Sequence, residues 1–285
     1  MLSTKVREKS VGKTKQMHLL AVLLVPAVAL IMGASALQVW AQGEFDDADV
    51  YAELNDTDND LGFHALIDGE GWKYLEIEDP TERKMLNLIV RGRLRRQGLT
   101  ELFFESAEPP FDELTPAQFF HRFPAGMYEI EAKTLDGMEL ENEDLFRHVM
   151  PAAPGGIMVN DAGPINHKTV DCEEGPIPEV ELEEGEDIII SWDQVDSSHP
   201  TVGIEGEIEV ERYQGVLEFE TPDEIELTYT VDLPDGVTEM TIPYSFIALG
   251  LVDGEGEFKF EILVKEALGG NQTAAESCFA VISPE

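Results

Sequence analysis

The residues best suited to chemistry form one acidic turn, one basic run and one pair of cysteines. Asn55-Asp56-Thr57-Asp58-Asn59-Asp60-Leu61-Gly62 places carboxylates at alternate positions, where Asp56, Asp58 and Asp60 could converge on a hard cation. Calcium takes about six to eight oxygens at roughly 2.3–2.6 Å, and alternating aspartates in a tight loop supply three of them. The spacing is not that of an EF-hand, because glycine falls one place late and Ile67 stands where the closing glutamate belongs. The turn is therefore read in two ways, as a calcium site completed by a carboxylate from elsewhere or as a solvated acidic turn. No other cofactor is implied.

The run Arg91-Gly92-Arg93-Leu94-Arg95-Arg96-Gln97-Gly98 is a lone basic cluster, with Arg91, Arg93, Arg95 and Arg96 as a candidate patch for an anionic partner. Its alternative reading is an ion-paired patch among acidic neighbours. Cys172 and Cys278 are the two cysteines, and neither has a CxxC companion, which removes redox catalysis and a structural zinc site from consideration. In an exported chain such an even pair is most simply a disulfide. There is no Gly-x-Ser-x-Gly elbow, no His-Glu-x-x-His and no phosphate-cradling glycine loop, so the chain is read as a non-enzyme.

The N-terminus supports export. Lys5, Arg7, Lys9, Lys13 and Lys15 precede an apolar run from His18 to Leu37 and small residues around Ala36 and Ala41. This is the basic, apolar, small-residue order of a secretory signal over residues 1–41, with an uncleaved signal anchor as the alternative. A secreted or periplasmic location follows, and a membrane contact only if the segment stays uncleaved. Removing residues 1–41 takes away five basic residues and one acid, leaving 14 Lys+Arg against 57 Asp+Glu, a formal charge of −43 over 244 residues. That surface repels nucleic acid and anionic lipid, and both are excluded as partners. Proteins or polysaccharides of the envelope or exterior remain.

Beyond Val50, apolar and polar residues alternate with period two, broken by turn residues about every eight to twelve positions, the pattern of an all-β sandwich. Strands are predicted at Gly62–Asp68, Trp72–Ile77, Met85–Val90, Glu101–Glu105, Met127–Thr134 and Leu145–Met150, with Asp68-Gly69 and Gly71 as a turn. A helical insertion opens at Asp112–Pro116 and carries Phe119, Phe120 and Phe123 on one apolar face. Length allows two domains of about 100–120 residues.

The stretch Pro124-Ala125-Gly126-Met127-Tyr128-Glu129-Ile130-Glu131-Ala132 resembles the entry to strand F of immunoglobulin-like sandwiches. This implies an Ig-like sandwich over 45–150 with Tyr128 as the corner tyrosine, its ring buried and its hydroxyl returned to nearby backbone. From Glu179 the chain resembles a fibronectin type III domain, covering 179–285. Ile188-Ile189-Ile190-Ser191-Trp192 matches the second strand with its core tryptophan, Glu209–Gln214 the third with a core tyrosine, and Phe258–Val264 the sixth. Phe258 stands where the family has its corner tyrosine, and the insert Asp196–Gly206 is long. Residues 151–178 then form a linker, and the two antiparallel sandwiches stand end to end as a bacterial secreted tandem. Such a protein is expected to be a binding or structural module; an accessory or undetected carbohydrate-active enzyme, or an inert spacer, is the alternative.

Overall fold

The computed structural model describes residues 42–221 and 223–282; the expected signal, residues 1–41, lies outside them. The first half comprises β1 (Gln42–Gly43), β2 (Asp47–Asn55), β3 (Asp60–Glu78), β4 (Lys84–Ile89), α1 (Leu94–Gln97), β5 (Leu99–Glu105), α2 (Pro116–Arg122), β6 (Gly126–Thr134), β7 (Glu139–Phe146) and β8 (Val149–Pro151). The second comprises β9 (Ile157–Val159), β10 (Ala162–Ile165), β11 (Glu179–Glu181), β12 (Ile188–Ser191), β13 (Ser198–Gly203), β14 (Val210–Glu220), β15 (Glu226–Pro234), β16 (Glu239–Ile242), α3 (Tyr244–Ile247), β17 (Gly256–Glu266) and β18 (Gln272–Ile282). The chain is all-β, with two hydrophobic cores, one on each half.

The first core forms around β3. Asp68–Gly71 is not a turn, because β3 runs unbroken through it and bends instead. Its first part pairs with β2 and β5, its second with β4 and β6, and the register shifts between Asp68 and Trp72 mark the corner. One strand thereby serves both layers, a corner made by a kinked strand in place of a loop. Leu61, Phe63, Ala65, Ile67, Trp72, Leu75 and Ile77 enter the core from it. The ring of Tyr128 is buried and its hydroxyl donates to the Pro124 carbonyl at 3.2 Å. A capping box between Thr115 and Gln118, with Pro116 in the first turn, starts α2, which buries Phe119 and Phe120.

Strand β7 starts six residues before the predicted 145–150 strand. Its alternation is hidden because Asp144, half-buried, faces β2 and accepts the Val50 N–H at 2.8 Å where an apolar residue would be expected.

The second core lies between the β14, β15, β17 and β18 part of the large sheet and a smaller sheet ordered β10-β9-β12-β16. Trp192 packs against Tyr213, ring centroids 5.5 Å apart, and the Tyr213 hydroxyl accepts the Val195 N–H. Residues 151–178, expected as a linker, carry β9 and β10 and bury Ile157, Val159 and Ile165 in this core. Strands of three and four residues show no measurable period, and the β12 partner of β9 lies some thirty residues downstream, with Val159 opposite Ile190. The long insert likewise holds β13, which pairs with β8.

The halves are not stacked end to end. Parallel pairing of β2 with β18, from Glu53 opposite Gln272 to Asn55 opposite Ala274, merges them into one twelve-stranded sheet. β1–β7 and β11–β18 are parallel as well, which departs from the expected purely antiparallel arrangement. β18 has neighbours on both sides and is buried along nearly its whole length.

Candidate functional site

The acidic turn is built by Asn55, whose side-chain oxygen accepts the Thr57 and Asp58 N–H groups, while Asn59 takes the left-handed conformation at φ 57°. Asparagine tolerates that conformation and closes such turns on its own backbone. The turn is sewn to β18: Asp56 N–H donates to Ala274 O, Thr57 Oγ1 donates to Glu276 O, and Glu276 N–H donates back to Thr57 Oγ1.

Asp56, Asp58 and Asp60 are not brought together as a calcium trio. The Asp56 carboxylate turns inward and accepts from His167 Nε2 at 2.8 Å, His199 Nε2 at 3.1 Å and Lys168 Nζ at 2.7 Å. Asp58 stays exposed beside Asn55, and Asp60 begins β3. His199 Nδ1 accepts the Val202 N–H at 2.9 Å, so its proton resides on Nε2 and points at Asp56. A nitrogen committed as donor does not ligate a cation, and Asp56 is a clamp between the halves. His167, Lys168 and His199 carry no sequence signal for this role, lying 111 or more positions away.

Asn271 was also unrecognised as part of the junction, although Asn271-Gln272-Thr273 reads as a glycan acceptor. It is fully buried, accepting the Ala52 N–H and donating to the Arg147 and Val149 carbonyls, each at 2.9 Å. Glu266, also fully buried, pairs with Arg147 at 3.1 Å.

The junction titrates in two opposed ways. Burial alone would raise the Asp56 carboxyl, but the bonds from His167, His199 and Lys168 outweigh it and hold it well below the usual carboxylate range. Glu261 is pushed up to about 7 by burial, then by Glu276, Glu53 and Glu218; Asp60 rises to about 6 by burial, then by Glu108 and Asp58. Burial lowers His64, but its bond to Glu108 and the charges of Glu53 and Glu105 leave it raised. Raised groups favour the fold below their ordinary values and lose that contribution as pH climbs through 6 and 7; Asp56 favours it above 3.8 and fails below. Stability is therefore expected to peak near pH 4 and to decline through pH 7, and thermal melts from pH 3 to 9 check this. A maximum at pH 8 would contradict the assignment.

The four arginines occupy the connection from β4 to β5. Every residue from Arg91 to Gln97 is exposed, and among the described residues none of the four arginines reaches a carboxylate within 4.0 Å. The alternative of an ion-paired patch is not what the structure places here, since the whole connection is exposed and its arginines lie beyond 4.0 Å from any described carboxylate. Gly98 makes the return, with φ 89°, a left-handed conformation that favours glycine, and a Cβ there would press on Gly71 Cα at 3.1 Å.

Cys172 and Cys278 form a disulfide, Cα atoms 5.9 Å apart. It pins the 170–173 segment over the face of β14, β17 and β18, roofing a cleft of about 500 Å³ lined by Asp58, Lys168, Glu218, Lys259, Glu261 and Glu276. Trp72, Trp192, Phe119 and Phe120 are all buried and Phe123 stacks on Phe63 at 4.7 Å, so none of these rings offers a platform for a sugar.

The chain matches no protein-family model and no curated protein. Solved structures similar to it include the fibronectin domains FN1–FN3 of chicken CNTN1, at 12% identity over 86% of this chain and 67% of that one, with a TM-score of 0.33. The BSP domain of a biofilm-associated protein is similar at 10% identity over 84% of this chain, TM-score 0.22, and trypsin-activated alpha-2-macroglobulin from Escherichia coli at 11% over 85%, TM-score 0.23. This chain spans 30% and 16% of the lengths of the latter two.

Proposed function

We propose that the chain is an exported, non-enzymatic binding or structural module of the cell envelope or extracellular space, whose partner is engaged through the arginine tip. The observation carrying this reading is the exposure of Arg91, Arg93, Arg95 and Arg96 without acidic partners on a body of formal charge −43. Guanidinium groups seek carboxylates, sulfates or phosphates in a bidentate fork, and four bare ones in six residues are a docking element. The disulfide fits an oxidising compartment, in agreement with the signal read over residues 1–41. The merged sheet supplies a rigid mount.

The test is capture from envelope and medium fractions on immobilised 42–285, beside a variant carrying Arg91→Glu, Arg93→Glu, Arg95→Glu and Arg96→Glu. A component identified on the unaltered chain and lost from the variant supports the reading. No retained component moves the protein to the spacer class, and equal retention by both removes the arginine tip as the binding element.

A further inference from the structure

The arginine tip has a counterpart on the same molecule. Across β3, β6 and β7, glutamates stand directly opposite one another in two rows, Glu76–Glu131–Glu141 and Glu78–Glu129–Glu143. Like charges facing each other across a sheet destabilise it, and six in two adjacent rows is an arrangement that packing does not require. Lys84 serves the β3 end of the rows, pairing with Glu76 and Glu78. On the β6 and β7 side Glu129, Glu131 and Glu143 are exposed, and with Glu44 and Glu141 they line an open groove of about 540 Å³. The Glu131 carboxyl is raised by burial and then by Glu141, Glu76 and Glu129, a direct sign of crowded negative charge.

Within one chain the tip does not meet these rows, since none of its four arginines lies within 4.0 Å of a carboxylate among the described residues. Glu78 is opposite Lys84 and Glu76 opposite Asn87 on β4, and the rows run from β3 away from β4, onto β6 and β7, whereas the tip departs beyond Ile89 at the end of β4.

We propose that the arginine tip of one copy docks on the glutamate rows of a second copy, forming a head-to-tail contact. This rests on the tip being the binding element, as proposed above, and names its partner. The contact is heterologous, so it propagates into a chain unless geometry closes a ring. An anionic polymer is the weaker fit, because beyond the tip it would lie against a −43 body.

The salt response is distinctive. At about 10 mM salt the Debye length is roughly 30 Å and the two acidic bodies repel; at about 150 mM it is roughly 8 Å, and the contact pairs outlast the repulsion. Near 1 M the pairs themselves are screened. Sedimentation velocity of 42–285, which holds the whole described fold, is run at these three concentrations. Two variants accompany it, the four-arginine reversal and Glu129→Lys, Glu131→Lys, Glu143→Lys, both checked for unchanged circular dichroism. Association is expected to be strongest at the middle concentration. The arginine variant alone should lose about 100-fold in association constant, four contacts at roughly threefold each, and the glutamate variant, with three, about 30-fold. Their equimolar mixture should associate where neither does alone, because one still offers rows and the other still offers a tip. If the lysine variant fails to fold, the three glutamines at the same positions replace it, with the same loss expected.

A wild-type monomer under all conditions, variants that associate like wild type, or folded variants that do not combine would each overturn the proposal. Retention of monomeric wild type on immobilised polyglutamate or heparin, lost in the arginine variant, would assign the tip to an anionic polymer. That result overturns the self-contact and leaves the binding-module reading standing.

Discussion

Replacing Trp192 with alanine is expected to cost on the order of 3–5 kcal/mol, the range for deleting a large aromatic from a core that does not collapse around the hole. Trp192 is nearly inaccessible and leans on Tyr213, whose hydroxyl holds the Val195 N–H, so the vacancy also loosens a buried hydrogen bond. Domains of ordinary stability have about 5–15 kcal/mol to lose. The second core would become marginal. Since β18 is shared with β2, and Asn271, Glu266 and Asp56 tie across the junction, the first core should be destabilised in the same transition. Calorimetry of the variant reads both points. A soluble Trp192→Ala chain melting where the wild type does would remove this residue from the centre of the core, and two separated transitions would show that the sheet junction does not couple the halves.

Reducing the Cys172–Cys278 bridge is expected to remove roughly 2–5 kcal/mol, most of it by returning freedom to the unfolded chain across a span of 106 positions. Cys278 lies in β18 and is buried, while Cys172 sits in a loop of otherwise exposed, acidic residues. Without the bond, the loop beyond Val170, which packs against the second core, keeps only bonds to itself, Asp171 accepting the Glu173 and Glu174 N–H groups, while His167 and Lys168 anchor the segment before it on Asp56. A drop of about 5–15 °C in melting temperature is expected, at roughly 2–4 °C per kcal/mol for a body of this size. Scans with and without reductant, paired with a Cys172→Ser, Cys278→Ser chain, measure it. Identical melts would mean that the loop is held by its own contacts.

Much of the fold can be read along the chain because its signals are local. Period-two alternation marks β15 and β17, a short β-branched run marks β12, Pro116 and the Thr115–Gln118 pair mark α2, and the Pro124–Tyr128 spacing marks a tyrosine whose hydroxyl returns to its own turn. An even cysteine pair on an exported chain leaves one pairing. These features need only neighbours in sequence, or a count.

What tertiary structure alone decided is where distant segments meet. Asp56, Asp58 and Asp60 share one motif, yet Asp56 belongs to a clamp whose other members are 111 to 143 positions away, and no local rule distinguishes a carboxylate facing a cation from one facing lysine and histidine. Asn271 was legible as the turn into the last strand and as a glycan acceptor, but not as a junction residue, because its three partners lie in β2 and around β8, up to 219 positions off. Strand β7 was displaced because an aspartate bonding to backbone occupies an inward position, and β9 and β10 were lost because strands so short have no period. The arginine run was visible from composition; that it stands bare beyond the end of β4, while glutamates align in rows across β3, β6 and β7, follows only from exposure and strand register. Alternation states which face of a strand is buried, and it is silent on which strand lies beside it.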